Sequence, residues 1–305
     1  MLKNILVIAN PGSGKGDAPK YADKLSKILQ KNYGSKVDIR ETSKIEDAKN
    51  WAKSASSEDY DTVICLGGDG TVNQVINGLM TAEKPPVFSF VPMGTANDLG
   101  RVLGFDMTPE LALEQFENLE EDAIDIGQVN GDYFMDVVAV GDIPTAVMET
   151  DSDKKNKLGF MAYVVDGAKE IMDNNEKAYR VTSSDGDMYE FKSDAIVVAL
   201  TSSVGGMENI IDHHDYKNGL LQFFALKGKV VKSSVETLAN GGGIPEEHTN
   251  NDTLLAFSDK EVSLQLLEDD EVLSNVDGDE GPALPLTITV HKKALKVLKP
   301  EPDNN

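Results

Sequence analysis

The stretch Thr62-Val63-Ile64-Cys65-Leu66-Gly67-Gly68-Asp69-Gly70-Thr71-Val72-Asn73-Gln74-Val75-Ile76-Asn77-Gly78-Leu79 decides the fold. Its opening run is short, β-branched and almost wholly apolar, as a strand buried on both faces is. Val72, Val75, Ile76 and Leu79 then follow the i, i+3, i+4, i+7 spacing of one helix face. Between strand and helix, Gly67-Gly68-Asp69-Gly70-Thr71 sets an Asp among glycines and a Thr at the helix start. Glycines this dense cost strand stability and need a reason. Close approach of a ligand to the backbone is one.

Outward from this unit the alternation repeats. Residues 5–9 read as a buried strand, and Ala22, Leu25, Ile28 and Leu29 mark the helix after it. Residues 37–39 form a second strand, with Ile45, Ala48 and Ala52 on the next helix, and 86–91 form a fourth strand. A further helix is predicted from Thr108 as N-cap with Pro109 in its first turn, burying Leu111, Ala112, the methylenes of Gln115, Phe116 and Leu119. Strands alternating with helices predict an open parallel sheet covered on both faces.

Past residue 124 the pattern changes. Strand-like runs dominate at 133–140, 179–182, 188–191, 195–200, 220–226, 253–257, 262–266 and 286–290, and only 158–172 and 230–238 read as helical. Many of the runs alternate with period two, which predicts a second, antiparallel β domain.

In 305 residues, 29 Lys+Arg stand against 52 Asp+Glu, a net charge of −23. The acidity is uneven, with 13 cationic and 19 acidic residues in 1–123 against 16 and 33 in the rest. Phosphate contacts need clustered cations, so no nucleic-acid partner is expected, and docking on anionic lipid is disfavoured. The single cysteine, Cys65, excludes a disulfide framework, points to a reducing compartment and is read as core packing. No apolar run reaches the roughly 18–20 residues of a membrane span. The expected localisation is cytoplasmic. Lys154, Lys155 and Lys157 form the one cationic cluster of the acidic half, either a membrane contact or a solvated loop. The histidines give no metal pattern: His213 and His214 are adjacent, and His248 and His291 are isolated.

Three glycine-rich turns each follow a strand of the first domain: Asn10-Pro11-Gly12-Ser13-Gly14-Lys15-Gly16, Gly67 to Thr71, and Pro92-Met93-Gly94-Thr95-Ala96-Asn97-Asp98. Ligands of open α/β sheets bind beyond the carboxyl ends of the strands. Glycine backbones and helix N-termini there supply N–H groups to phosphate. The first turn alone lacks the P-loop spacing and could be a plain strand-to-helix turn. Together the three predict a polyphosphate site.

Gly67-Gly68-Asp69-Gly70-Thr71 followed by Asn73 resembles the nucleotide loop of the diacylglycerol kinase catalytic domain family, which includes sphingosine and ceramide kinases. Gly94-Thr95-Ala96-Asn97-Asp98-Leu99-Gly100-Arg101 resembles its second signature, and the loop from Asn10 to Gly14 its opening one. Asp125-Ile126-Gly127, Lys157-Leu158-Gly159 with Ala162-Tyr163, and Asn275-Val276-Asp277-Gly278-Asp279 follow in the family's order. The likeness spans nearly the whole chain and is strongest to the soluble bacterial diacylglycerol kinases. NAD kinases and phosphofructokinases share the glycine–aspartate loop, but the second signature favours the lipid kinases.

The resemblance implies an α/β ATP-binding domain (1–123 and 292–305) of NAD kinase/phosphofructokinase-like fold, and a C-terminal antiparallel β-sandwich domain (124–291) for the lipid substrate. It implies ATP contacts at Asn10, Pro11, Gly12, Ser13, Gly14, Thr42, Gly68, Asp69, Gly70, Thr71, Val72, Asn73, Gln74 and Thr95. Thr42 could equally cap the helix that follows it. Asp69, Asp98 and Asp125 match acidic residues that organise a catalytic Mg2+. The acceptor hydroxyl needs a base, which the family carries in an Asp-Gly-Glu turn. Asp279 stands at that position, shorter by one bond of about 1.5 Å, with Asp277 and Glu280 as substitutes. A structural Mg2+ is implied at the carbonyls of Asp215 and Leu220 and the side chain of Asn218. Asn218 replaces a carboxylate there and Lys217 adds a cation, so the site is expected to be weak.

The leading expectation is thus an ATP-dependent lipid kinase, with diacylglycerol first among substrates, that visits membranes transiently; the resemblance leaves a homodimer open, since family members can dimerise. Gln74, Asn218 and Asp279, each standing where the family has a carboxylate, raise an alternative: a binder without efficient transfer. The acidity raises another, a kinase of a soluble metabolite.

Overall fold

The computed structural model describes residues 2–141, 176–202, 215–227, 248–252 and 254–302. The helices expected over 158–172 and 230–238, the lysines at 154, 155 and 157, the Lys157-Leu158-Gly159 motif and His213 with His214 lie outside them. Contacts divide the chain into two units, Met1–Ile124 with Lys293–Asn305, and Asp125–Lys292.

The first unit opens with β1 (Asn4–Ala9), α1 (Ala18–Tyr33), β2 (Lys36–Glu41), α2 (Asp47–Ala55), β3 (Thr62–Gly67), α3 (Asp69–Leu79) and β4 (Val87–Pro92), followed by α4 (Asp98–Leu103), α5 (Pro109–Gln115) and the start of β5 (Leu119–Val129). The strands run parallel in the order β2-β1-β3-β4. Every residue of β3 and β4 is buried, the burial an unbroken apolar run encodes. Helix α3 buries Val72, Val75, Ile76 and Leu79 as its spacing predicts, and α1 buries Ala22, Leu25 and Leu29.

Three expectations on this unit are corrected. Ile45 is 80% exposed in the turn before α2. That helix starts at Asp47, whose carboxylate takes the N–H groups of Ser43 and Lys44, and it packs through Ala48, Ala52 and Ala55. Leu111 is 46% exposed. Leu119 begins β5 instead of extending α5, which stops at Gln115, where the side-chain amide ties back to Asp106 N and Gly104 O.

The second unit continues with β6 (Asp132–Phe134), β7 (Val137–Gly141), β8 (Lys177–Ser183), β9 (Met188–Ser193), β10 (Ala195–Ala199), β11 (Leu221–Leu226), β12 (Thr249–Asn250), β13 (Leu254–Asp259), β14 (Glu261–Leu266), β15 (Leu273–Val276), β16 (Asp279–Ala283) and β17 (Leu286–Pro300). One antiparallel layer runs β17-β14-β8-β9, and the other β12-β13-β11-β10-β7-β15-β16. Their facing side chains form one core, with Tyr179, Val181, Phe191, Val262 and Ile288 from the first layer and Val138, Ile196, Val198, Phe223 and Phe257 from the second. Phe191 meets Phe223 edge-on at 6.2 Å. This is a β-sandwich.

The alternate residues Val137, Val197, Ala199, Phe224 and Ala256 form a second buried cluster on the far face of the second layer. The run expected as one strand over 133–140 is two strands, broken at Met135 and Asp136, whose N–H groups bond the Asp277 carboxylate. From Lys293 onward β17 belongs to the first unit. There Val297 pairs in parallel with Phe88 of β4, and the Ser89 hydroxyl donates to Leu298 O at 2.9 Å.

Candidate active site

Because β1, β3 and β4 are neighbours in the parallel sheet, the turns at their carboxyl ends meet. Asn10 ties the first to the second: its backbone N–H donates to Leu66 O and its amide Nδ2 to the Thr71 hydroxyl at 2.9 Å. Its Oδ1 accepts the Gly12 N–H, closing the loop that carries Pro11, Gly12, Ser13 and Gly14. Thr42 stands beside this loop, its N–H donating to Ala9 O.

The second and third turns touch backbone to backbone. A Cβ on Gly94 would lie 2.8 Å from Gly68 Cα and 3.3 Å from an oxygen of Asp69. Gly14 has φ +60°, and a Cβ there would strike the Met93 side chain. So the glycines allow three loops to share one small volume at the N-terminus of α3, where helix N–H groups favour anions. Gly70 is exposed there, Thr71 is engaged with Asn10, and Asn73 accepts from the side chain of Asn77. Gln74 lies on the first turns of α3 and Thr95 is exposed in the third loop. Val72 is the exception among the expected contacts. Its side chain is packed in the core and its N–H bonds Gly68 O, so it offers the cradle no donor.

Asn97, which sequence reading took only as part of a motif, is the clasp of the third loop. It adopts the left-handed conformation at φ 51°, accepts the Gly94 N–H and donates to Gly94 O. Its own N–H donates to the Asp69 carboxylate at 3.0 Å. Asn in a position needing positive φ is the signal that could have found it. Arg101 Nε adds a bond to Ala96 O. Asp98, 5% exposed, opens α4 next to this clasp. Burial and the nearby Asp98 charge push the Asp69 pKa above the ordinary carboxylate range, against the opposing pull of the Asn97 N–H.

Asp125, Asp279 and the 215–220 turn belong to the second unit. Asp125 is buried on β5, its carboxylate accepts the Gly219 N–H, and its own N–H donates to Tyr216 O. The turn is closed by its own groups: the Asp215 carboxylate accepts Lys217 N–H, Asp215 O accepts Asn218 N–H, and Asn218 Oδ1 accepts Leu220 N–H. Lys217 folds its ammonium over the Tyr216 ring at 5.2 Å. With one carboxylate, a resident cation and an amide already engaged, these donors do not fit a tightly held structural Mg2+. Among the described residues no group of three or more His, Cys, Asp or Glu is arranged to hold a metal. Asp279 and Glu280 are exposed at the start of β16, and Asp277 and Gly278 form the turn before them. Asp277 is committed to backbone amides, which removes it as a substitute base.

Three glycine loops meeting at the carboxyl end of a parallel sheet, with an antiparallel sandwich following in sequence, define the NAD kinase-like fold class. Residues 4–129 match the diacylglycerol kinase catalytic domain, and residues 137–299 match the YegS C-terminal NAD kinase beta sandwich-like domain. A diacylglycerol kinase of Bacillus subtilis (strain 168) is 31% identical over 289 residues, covering 93% of this chain and 92% of that protein. One from Staphylococcus aureus (strain bovine RF122 / ET3-1) is 30% identical, covering 98% and 93%. The crystal structure of a diacylglycerol kinase from Bacillus anthracis str. Sterne shares the fold, at a TM-score of 0.74 and 21% identity over 98% of this chain and 97% of that one. An NAD kinase from Archaeoglobus fulgidus in complex with ATP does so more distantly, at a TM-score of 0.51 and 11% identity over 98% and 94%. The chain belongs to the diacylglycerol kinase family.

Proposed function

We propose that this enzyme transfers the γ-phosphate of ATP, bound as its magnesium complex, to the hydroxyl of a lipid, with diacylglycerol giving phosphatidic acid as the first candidate. The observation that carries the reading is the backbone contact between Gly68 and Gly94, which brings the second and third glycine loops together at the N-terminus of α3, where a phosphate would be held. Phosphoryl transfer asks the protein mainly to position groups and to balance charge, and magnesium neutralises the phosphate oxygens.

The residues divide the task. Asn10, Pro11, Gly12, Ser13, Gly14, Thr42, Gly68, Gly70, Thr71, Asn73, Gln74 and Thr95 form the nucleotide cradle. Asp69, Asp98 and Asp125 would organise the magnesium of the nucleotide through water and hydrogen bonds. Asp279 removes the proton from the lipid hydroxyl as its oxygen attacks the γ-phosphorus, and ADP departs with the electrons of the broken bond. General-base removal is worth about 10²–10⁴-fold in rate. The lipid domain is the sandwich. Among the described residues no helix is long and apolar enough to cross a membrane, and the reading has the enzyme meet its substrate by transient surface contact.

The test is transfer of labelled γ-phosphate to a panel of diacylglycerol, ceramide, sphingosine and phosphatidylglycerol in micelles. Labelled phosphatidic acid is the expected product. ATP binding with no labelled lipid would overturn the reading in favour of a binder without transfer, which the short Asp279 and the neutral Gln74 favour, or of a soluble acceptor.

A further inference from the structure

Asp279 begins β16, which among the described residues is the last strand of its layer, pairing only with β15. β15 is itself held in the layer, pairing with β7 as far as Val276 opposite Val138. The position of Asp279 therefore depends on β15 and on what fixes the hairpin tip. Val276 pairs with Asp279, so the tip is a two-residue turn, Asp277-Gly278, with φ of 50° and 97°. Positive φ at both central residues gives the twist that suits a tight hairpin, and Asp-Gly meets it.

Turn chemistry does not account for the Asp277 side chain. Its carboxylate leaves the hairpin and accepts three consecutive backbone N–H groups of the β6–β7 connection: Met135 at 2.9 Å, Asp136 at 3.0 Å and Val137 at 2.9 Å. Its own N–H donates to Val137 O at 2.9 Å. Successive N–H groups turned to one point form an anion nest, and a carboxylate fills it better than a neutral group. The receiving connection is itself tethered, because Asp136 O accepts the Leu200 N–H and the buried Asp136 carboxylate accepts the Thr201 hydroxyl. Four hydrogen bonds thus clamp the turn two residues before Asp279.

We propose that Asp277 is a positioning residue for phosphoryl transfer, holding the β15–β16 tip on the β6–β7 connection so that Asp279 keeps its place. This rests on the reading of Asp279 as the base. A misplacement of about 1 Å in a reacting group costs about 10²-fold. Loss of the clamp is therefore read in kcat, while the nucleotide cradle of the other unit keeps its KM for ATP.

The experiment uses Asp277→Asn, since Asn tolerates the turn but offers one acceptor oxygen and sets an NH2 against backbone donors. It is measured in the full chain with diacylglycerol micelles and MgATP, in the native background and with Asp279→Asn. Active-site concentration is fixed by ATP binding, so a loss of folded protein is not mistaken for a loss of rate. The expected result is a tenfold to hundredfold lower kcat with KM for ATP within twofold, and under twofold further effect once Asp279 is Asn. Hydrogen exchange at Met135, Asp136 and Val137 is expected to quicken in parallel. A kcat within twofold of native, or the same fold-loss in both backgrounds, overturns the positioning role. Near-native turnover by Asp279→Asn alone contradicts the base reading instead, so the two failures are told apart.

Discussion

Gly94 faces Gly68 so closely that a Cβ on Gly94 would stand 2.8 Å from Gly68 Cα and 2.8 Å from Asn97 Oδ1, and both are parts of the cradle that cannot move without opening it. Gly94→Ala is expected to weaken ATP binding at least tenfold and to cost about 1–3 kcal/mol of stability, measured by calorimetric titration and chemical denaturation. An unchanged affinity would show that the two loops need not touch. Asp69 makes a different prediction. Its folded pKa lies above its unfolded one, so the native chain binds more protons and this group favours folding at acid pH, an advantage lost as pH rises through the folded value. Asp69→Asn is therefore expected to raise Tm at neutral pH, with the gain fading below the usual aspartate range, while turnover collapses. A lower Tm at neutral pH would contradict this. The glycine loops and Asp69 were legible in the sequence because glycine density against strand stability is a local signal. The clasp made by Asn97 and the clamp made by Asp277 were not, since their partners are fixed only once the chain has folded: Gly94 and Asp69 for one, Met135 to Val137 for the other.

The end of β17 shows how far a single element reaches. It buries Leu295, Val297 and Leu298 in the first unit, beside β4. Each such side chain is worth about 1.5–3 kcal/mol, and a whole domain has only about 5–15 kcal/mol in hand. Removal of residues 293–305 is expected to leave the first unit unable to fold cooperatively, seen as insoluble protein or a lost thermal transition. Retained cooperative melting would show the strand to be an accessory. Ser89→Ala, which deletes only the hydroxyl bond to Leu298 O, is expected to cost about 1 kcal/mol. The four parallel strands were readable because β3 and β4 are buried from end to end. Helix α4 escaped because its six residues are too few to display a period. Ile45 misled the reading of α2 because an alanine face lets that helix pack closely and leaves the isoleucine outside. β7 and β10 bury both faces, so their runs carry apolar residues at every position, and the break at Met135 and Asp136 is made by Asp277, which lies 142 and 141 residues away in sequence.

A net charge of −23 would set the terms of the proposed contact with a membrane. Repulsion from anionic lipid is screened within about 10 Å at 0.1 M salt and about 3 Å at 1 M. Turnover on diacylglycerol in anionic vesicles is therefore expected to rise with salt, and turnover in neutral micelles to stay flat. A fall with salt on anionic vesicles would reveal an attractive contact that outweighs the net charge. Family membership, the two-layer sandwich and the parallel nucleotide-type sheet all follow from motifs spread over the chain. The proposed base, Asp279, is one methylene shorter in reach than a glutamate would be. The most direct measurement is single-turnover transfer of labelled γ-phosphate from MgATP to diacylglycerol in neutral micelles, by the native enzyme and by Asp279→Asn. The account predicts labelled phosphatidic acid from the native enzyme and a rate at least about 10²-fold lower from the variant. No labelled lipid from native enzyme that binds ATP, or equal rates from the two, would contradict it.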